Sequence, residues 1–191
     1  EGGAVMVNDR ECARKLDLFR SHGITRDPQQ MLGPSHGPWY YEQVALGYNY
    51  RMTDLQAALG HSQMRHVDEF VQRRHEQFER YGRLLKDERL VVPLEAPDCV
   101  SAHHLYMLRL KGVSSEERRG TFERLRAAGI GVNVHYIPVH LQPWFKAMGF
   151  KEGAFPHAEA YYREAITLPL YPGLTEEQQD FIVKEVLACL G

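Results

Sequence analysis

Apolar residues recur at helical spacing through the first half of this chain and break into shorter runs over its last hundred residues. Cys12, Leu16 and Phe19 are the first such set. Asn8 and Glu11 precede them at the spacing of a capping box, and Gly23 follows as a stop. The pattern predicts a helix over 9–21, and the apolar run AVMV before it predicts a strand over 4–7. Residues 24–47 carry Pro28, Pro34 and Pro38 without sustained periodicity and read as a long irregular loop. Loops of that length in ordered proteins are usually functional. From Thr53 onward Leu55, Leu59, Val67, Phe70, Phe78 and Tyr81 recur at helical spacing, with a weak point at Gly60. This predicts one kinked helix or two in series over about 53–86, with that face buried.

Past Lys86 the pattern shifts to strand-like runs at 90–92, 103–110 and 132–136, alternating with helices. Ser114 with Glu117 starts a helix that reaches Ala128 and stops at Gly129. Thr175 with Gln178 starts the last one, which carries Phe181, Ile182, Val186 and Leu187. Such alternation predicts a small two-layer α/β or α+β domain after a boundary near residue 88.

A content of 43% hydrophobic and 25% charged residues in 191 is enough for a real core. The net charge of -2 leaves no basic field for a nucleic-acid backbone or an anionic membrane, so small polar ligands and protein partners are the better expectation. Cys12, Cys99 and Cys189 are far apart in sequence, which argues against a disulfide framework and fits a reducing cytoplasm. The opening Glu1-Gly2-Gly3 runs straight into an apolar stretch without an initiating Met, and reads as a piece of a longer protein.

Ten histidines raise the question of a metal. His135 and His140 lack the i, i+4 spacing of a helical zinc pair and have Pro138 between them, while His103 and His104 precede a strand and read as structural. No metal is expected. The sequence also lacks G-x-S-x-G, P-loop and G-x-G-x-x-G motifs, so acyl transfer, nucleotide hydrolysis and dinucleotide binding have no mark in it.

Five segments in order carry a resemblance. They are RSHGITRDP at 20–28, GYNYRMTDLQAALG at 47–60, SAHHLYMLRL at 101–110, GIGVNVHYIPVHLQPWF at 129–145 and LPLYPGLTEEQ at 168–178. Together they resemble the DegT/DnrJ/EryC1/StrS aminotransferases over nearly the whole chain. SHGITRDP and VHYIPVHLQP look most like the members that aminate a sugar of the pseudaminic acid route.

The resemblance implies an α/β fold class, the C-terminal part of a type I PLP-transferase fold. Residues 1–65 would be a remnant of the large cofactor domain, 66–87 a linking helix and 88–191 the small C-terminal domain. It implies a homodimer, pyridoxal 5'-phosphate (PLP) as cofactor, a UDP-linked 4-keto sugar as substrate and glutamate as amino donor. The lysine that carries the cofactor in this family lies upstream of an EGG stretch, so it is expected before Glu1. The aspartate that pairs with the pyridine nitrogen would also be missing. None of Lys15, Lys86, Lys111, Lys146, Lys151 and Lys184 sits at the lysine's position, and this portion alone is expected to be inactive.

The resemblance assigns Asn49 to the cofactor phosphate of the other subunit, with Arg51 close behind it. An amide donates to a phosphate oxygen without adding charge. For Asn49 the structural alternative is a turn residue, and for Arg51 a salt bridge. His135, Tyr136 and His140 are expected near the nucleotide-sugar pocket, and His22 and Arg26 as further substrate contacts. Packed strand ends and solvated loops are the alternatives for these five. Trp39, Tyr40 and Tyr41 would cover either a partner subunit or the first helix. Two other functions stay open: a non-catalytic dimerisation or nucleotide-sugar-binding module, and a family member that uses PLP for dehydration or for another keto sugar.

Overall fold

In the computed structural model, which describes residues 3–191, the first helix, α1 (Arg10–Arg20), starts at Asp9. The Asp9 carboxylate accepts the N–H of Cys12 at 2.6 Å. The expected cap at Asn8 is therefore one residue early, and Glu11 pairs with Arg14 at 2.7 Å instead of closing a capping box. The expected strand at 4–7 is absent. Val5, Met6 and Val7 are exposed, and no strand among the described residues pairs with them. An apolar run becomes a strand only where a ladder partner takes its backbone groups.

Gly23, at φ +69°, ends the α1 turn, its N–H bonding to Leu18 O at 2.9 Å. The long loop then closes on itself through two short antiparallel strands, β1 (Ile24–Thr25) and β2 (Glu42–Gln43). One carboxylate organises what lies between them. Glu42 accepts the N–H groups of Leu32 and Gly33 and the hydroxyl of Tyr40, and these bonds hold its carboxyl below the usual range.

Helix α2 (Asp54–Met64) is capped by Thr53 and Gln56 acting reciprocally. Its apolar face is open: Leu55 is 85% and Leu59 64% exposed, against the expected burial. Periodicity identifies an apolar face but not what covers it. The chain breaks at 65–66 and continues as α3 (Val67–Leu84), so the stretch forms two helices in series. That break is also the border between two compact units, Glu1–Arg65 and His66–Gly191.

The second unit is built on an antiparallel sheet of β3 (Leu90–Val91), β4 (Tyr106–Leu110) and β5 (Ala165–Leu168), in that order. In β4, Tyr106, Leu108 and Leu110 alternate into the core with Tyr81 of α3 and Leu85 just after it, while Met107 and Arg109 lie half-buried between them. Two further helices complete that core, α4 (Ser115–Ala127) through Leu125 and α7 (Glu176–Ala188) through Ile182, Val183 and Val186. Their caps are the expected Ser114–Glu117 and Thr175–Gln178 boxes. Between them lie two short helices, α5 (Pro143–Ala147) and α6 (Pro156–Glu164). Helix α6 meets the other face of β4, with Tyr161 Oη 2.9 Å from Met107 Sδ and Glu164 accepting from Arg109 at 2.9 Å.

All four residues of β5 are buried, and its four-residue run carries no strand signal in the sequence. The expected strand at 132–136 reduces to a single bridge, Asn133 with Thr167. Beyond it the Asn133 side chain accepts the N–H of Val134 at 2.8 Å, so a local bond takes the group a ladder would need. The run at 103–110 becomes strand only from Tyr106. Helices α3 and α7 are joined by buried amides: Gln77 Nε2 donates to Leu174 O at 3.0 Å, and Gln179 Nε2 donates to Gln77 O at 3.0 Å. Tyr81 adds a bond from its hydroxyl to Pro169 O at 3.0 Å.

Candidate functional site

In the first unit, the turn after α1 and the segment 44–50 cross at backbone contact. His22 N–H donates to Tyr48 O at 2.8 Å, Tyr48 N–H to Phe19 O at 2.7 Å and Tyr50 N–H to Arg20 O at 2.9 Å. Glycine at both sides of the crossing makes it possible. A Cβ on Gly47 would lie 2.2 Å from Gly23 N, and one on Gly23 would lie 1.8 Å from Ala45 O.

The crossing sets three of the predicted residues on one edge. Asn49 pairs by its backbone with Ser21 and leaves its side chain exposed. Arg51 Nη2 stands 3.5 Å from His22 Nε2. A guanidinium only donates, so Arg51 is the donor in this contact. His22 itself has φ 63°, a left-handed backbone that a non-glycine residue adopts only when its surroundings fix it. An amide and a guanidinium on one exposed edge are donors suited to an oxyanion. Tyr48 and Tyr50, two residues apart, flank Asn49 and stack with ring centroids 4.9 Å apart. Beside Arg51 opens a hollow of about 1040 Å³ lined by Val5, Leu16, Phe19, Tyr48, Tyr50 and Met52. The two tyrosines were not singled out from the sequence, although their i, i+2 spacing around Asn49 is a legible signal.

Arg26 is held elsewhere in the same unit, its guanidinium carbon 5.9 Å over the Tyr41 ring. Trp39 is 73% exposed and so does not cover the first helix.

In the second unit His135 and Tyr136 lie together where the chain leaves its bridge to β5. His135 Nδ1 is 2.8 Å from Thr167 Oγ1, and its ring meets Tyr136 edge-on at 4.5 Å. Tyr136 is 69% exposed. The hydrogen bond to Thr167 orients the imidazole, while the phenol stays open to a ligand ring. His140 is separated from this pair. It is buried, with Nε2 2.7 Å from Glu159 Oε1 and its ring against Phe155. Glu159 also accepts Gly153 N–H at 2.8 Å. The His140 bond first, and the Gly153 N–H next, hold its carboxyl below the ordinary value. His140 therefore acts as an internal tie between the loop and α6. The partner, 19 residues away, gave no sequence signal. All six lysines are exposed, and none of them enters either cluster.

The architecture is that of the corresponding half of a sugar aminotransferase. A Streptococcus pneumoniae protein described as a sugar aminotransferase, solved in its PMP form, superposes with a TM-score of 0.86 at 32% identity, over 98% of this chain and 47% of its own. The DegT/DnrJ/EryC1/StrS aminotransferase family matches residues 1–187, and the chain belongs to it. An uncharacterized Methanocaldococcus jannaschii protein is 38% identical over 189 residues, 97% of this chain and 49% of that protein. The UDP-4-amino-4,6-dideoxy-N-acetyl-beta-L-altrosamine transaminase of Helicobacter pylori is 31% identical over 188 residues, 98% of this chain and 48% of that enzyme. The chain spans about half the length of the curated relatives it matches. Among the described residues no helix is long and apolar enough to cross a membrane.

Proposed function

We propose that this chain is the C-terminal part of a cytoplasmic, homodimeric, PLP-dependent enzyme that transfers an amino group from glutamate to a UDP-linked 4-keto sugar in amino-sugar biosynthesis. Residues 1–65 would be the end of its cofactor domain, and the chain by itself would be inactive. The observation that carries the reading is the Gly23–Gly47 crossing, which brings the Asn49 carboxamide and the Arg51 guanidinium to one exposed edge. Those donors fit the phosphate of PLP, with Asn49 donating to an oxygen and Arg51 balancing the charge. PLP, when bound, supplies the electron sink that amino transfer requires. Tyr136 offers a face to the uracil or sugar ring, and His135, fixed by Thr167, offers a donor to a hydroxyl. His22 would work through Arg51, and Arg26 through the loop it shares with Tyr41. The open apolar face of α2, Leu55 and Leu59, supports a subunit contact.

The similarity to the H. pylori transaminase supports a 4-keto UDP-sugar as acceptor. The complete protein that carries this chain, given PLP, glutamate and such a sugar, should form the UDP-amino sugar and 2-oxoglutarate in equal amounts by mass spectrometry. Asn49→Ala should weaken PLP retention by roughly tenfold, the loss of one charge-assisted bond. Absence of amine transfer to any 4-keto UDP-sugar would overturn the reading. Stoichiometric UDP-sugar binding without turnover would favour a second one, a dimerising nucleotide-sugar-binding module, which the exposure of all six lysines motivates.

A further inference from the structure

Three residues with no motif spacing meet at the edge of the second unit's core: His75 on α3, Glu95 in the loop after β3, and His103 just before β4. One donor atom from each lies within 4.8 Å of the other two. His103 is 5% exposed, its ring stacked on Phe78 at 3.8 Å and met edge-on by His75 at 4.4 Å. Its Nε2 is buried without a hydrogen-bond partner. A Glu95 Oε2 stands 3.2 Å away but off the line a hydrogen bond requires. A buried imidazole nitrogen left in this state is costly unless another atom fills the gap.

The surroundings fix these donors from outside. Ser101 N–H donates to Glu95 Oε1, which leaves Oε2 facing the histidine. His103 has φ 44°, a left-handed backbone for a non-glycine residue. Its N–H donates to Ser101 Oγ at 3.1 Å, and Arg74 Nη1 donates to the carbonyls of His103 at 3.3 Å and His104 at 3.2 Å. Outer contacts of this kind, which hold Glu95 and His103 in place while their ligating atoms stay open, are the pattern of a metal site's supporting shell.

We propose that His75, Glu95 and His103 form a site for a zinc-class divalent cation, which staples the 92–105 loop to α3. Two imidazole nitrogens and one carboxylate oxygen match the borderline donors zinc takes, whereas magnesium and calcium favour oxygen-only shells. Tetrahedral zinc with bonds of about 2.1 Å spaces its ligand atoms by roughly 3.4 Å. The His103–Glu95 separation of 3.2 Å already meets that spacing. The widest gap must close by at most about 1.4 Å (4.8 − 3.4), within reach of a rotation of the partly exposed His75 side chain. Water completes the fourth position. The site shares no residue with the transferase reading and does not depend on it.

The test uses the whole chain, stripped with chelator and titrated with Zn(II) or Co(II) alone. Expected are one equivalent bound by elemental analysis, an intense visible Co(II) spectrum of the tetrahedral type, and a rise in thermal midpoint with Zn(II). His75→Gln and Glu95→Gln, both at partly exposed positions, should each lower affinity at least about tenfold and abolish that spectrum while the far-ultraviolet dichroism stays native. His157→Gln, on the exposed side of α6, should change nothing. Failure to take up either metal stoichiometrically would overturn the site and leave a bare His103–Glu95 pair. So would uptake that is undiminished in both variants.

Discussion

Alanine at position 47 puts a methyl carbon 2.2 Å from Gly23 N, 2.6 Å from His22 C and 2.8 Å from Phe19 O. All three are backbone atoms, so no side chain can swing away to make room. Restoring an ordinary contact of 3.4 Å means separating the strands of the crossing by about 1.2 Å (3.4 − 2.2). Separation on that scale breaks the His22–Tyr48 and Tyr48–Phe19 bonds, now 2.8 and 2.7 Å. Each is worth about 0.5–1.5 kcal/mol net, so their loss costs roughly 1–3 kcal/mol. Leaving the bonds in place and overpacking costs about the same, roughly 1–3 kcal/mol. Gly60 is the control. It lies inside α2 with nothing within 4 Å of an added Cβ, so Gly60→Ala should stabilise that helix by about 0.5–1 kcal/mol. Hydrogen exchange read by peptide should show amides 18–23 and 44–50 opening roughly 5- to 150-fold faster in Gly47→Ala. Peptides from β4 and β5 should be unchanged, and Gly60→Ala should slow exchange in α2. A Gly47→Ala protein with wild-type exchange at the crossing, or a Gly60→Ala protein less protected than Gly47→Ala, would refute the reasoning.

Leu108→Ala, which empties a fully buried position between β5 and the helices, should lower urea stability of the second unit by about 2–5 kcal/mol without changing the m-value. The Glu159 carboxyl is held below its ordinary value of 4.5 by His140, so its contribution is complete above that pH and disappears as the pH falls through the lower folded value. Glu159→Gln should therefore flatten the acid limb of a stability profile below pH 4.5 while lowering the neutral plateau, and an unchanged acid limb would show that another group sets it. Mixed with PLP and reduced with borohydride, the chain should yield no lysine labelled stoichiometrically. Mass mapping that finds one such site among the six would reverse the expectation of inactivity.

What could be read from the sequence was mostly what is decided within four residues. The Ser114–Glu117 and Thr175–Gln178 boxes, and the stops at Gly23 and Gly129, appear where spacing put them. At the first helix two adjacent Asx residues compete for the cap, and only three-dimensional geometry selects Asp9 over Asn8. Non-local features were harder. Residues 4–7 have strand composition but no ladder partner, Leu55 and Leu59 have periodicity but no cover, and AITL at 165–168 is too short a run to declare itself. The family landmarks carried the fold because they are compared as an ordered set. Of the candidate site, the Asn49–Arg51 edge was legible through its motif, and His22 joins it only because two glycines 24 residues apart cross. For His140 the sequence leaves a ligand contact and a packed position open, and its bond to Glu159, 19 residues on, has no sequence signal.

The amide clasp between α3 and α7 also bears on how the protein comes off the ribosome. Gln77 and Gln179 hydrogen-bond across a separation of 102 residues, and Tyr81 waits for Pro169. At roughly 5–20 residues per second, translation of that interval takes about 5–20 s. Throughout it α3 has been made, while its glutamine and tyrosine still lack the partners they bond in the folded unit. The central strand β4 likewise lacks β5 until residue 168 is made. The second unit can thus close only when nearly its whole length has been synthesised, and until then the nascent chain presents an unpaired strand edge and an open apolar helix face. Those are the surfaces a chaperone recognises.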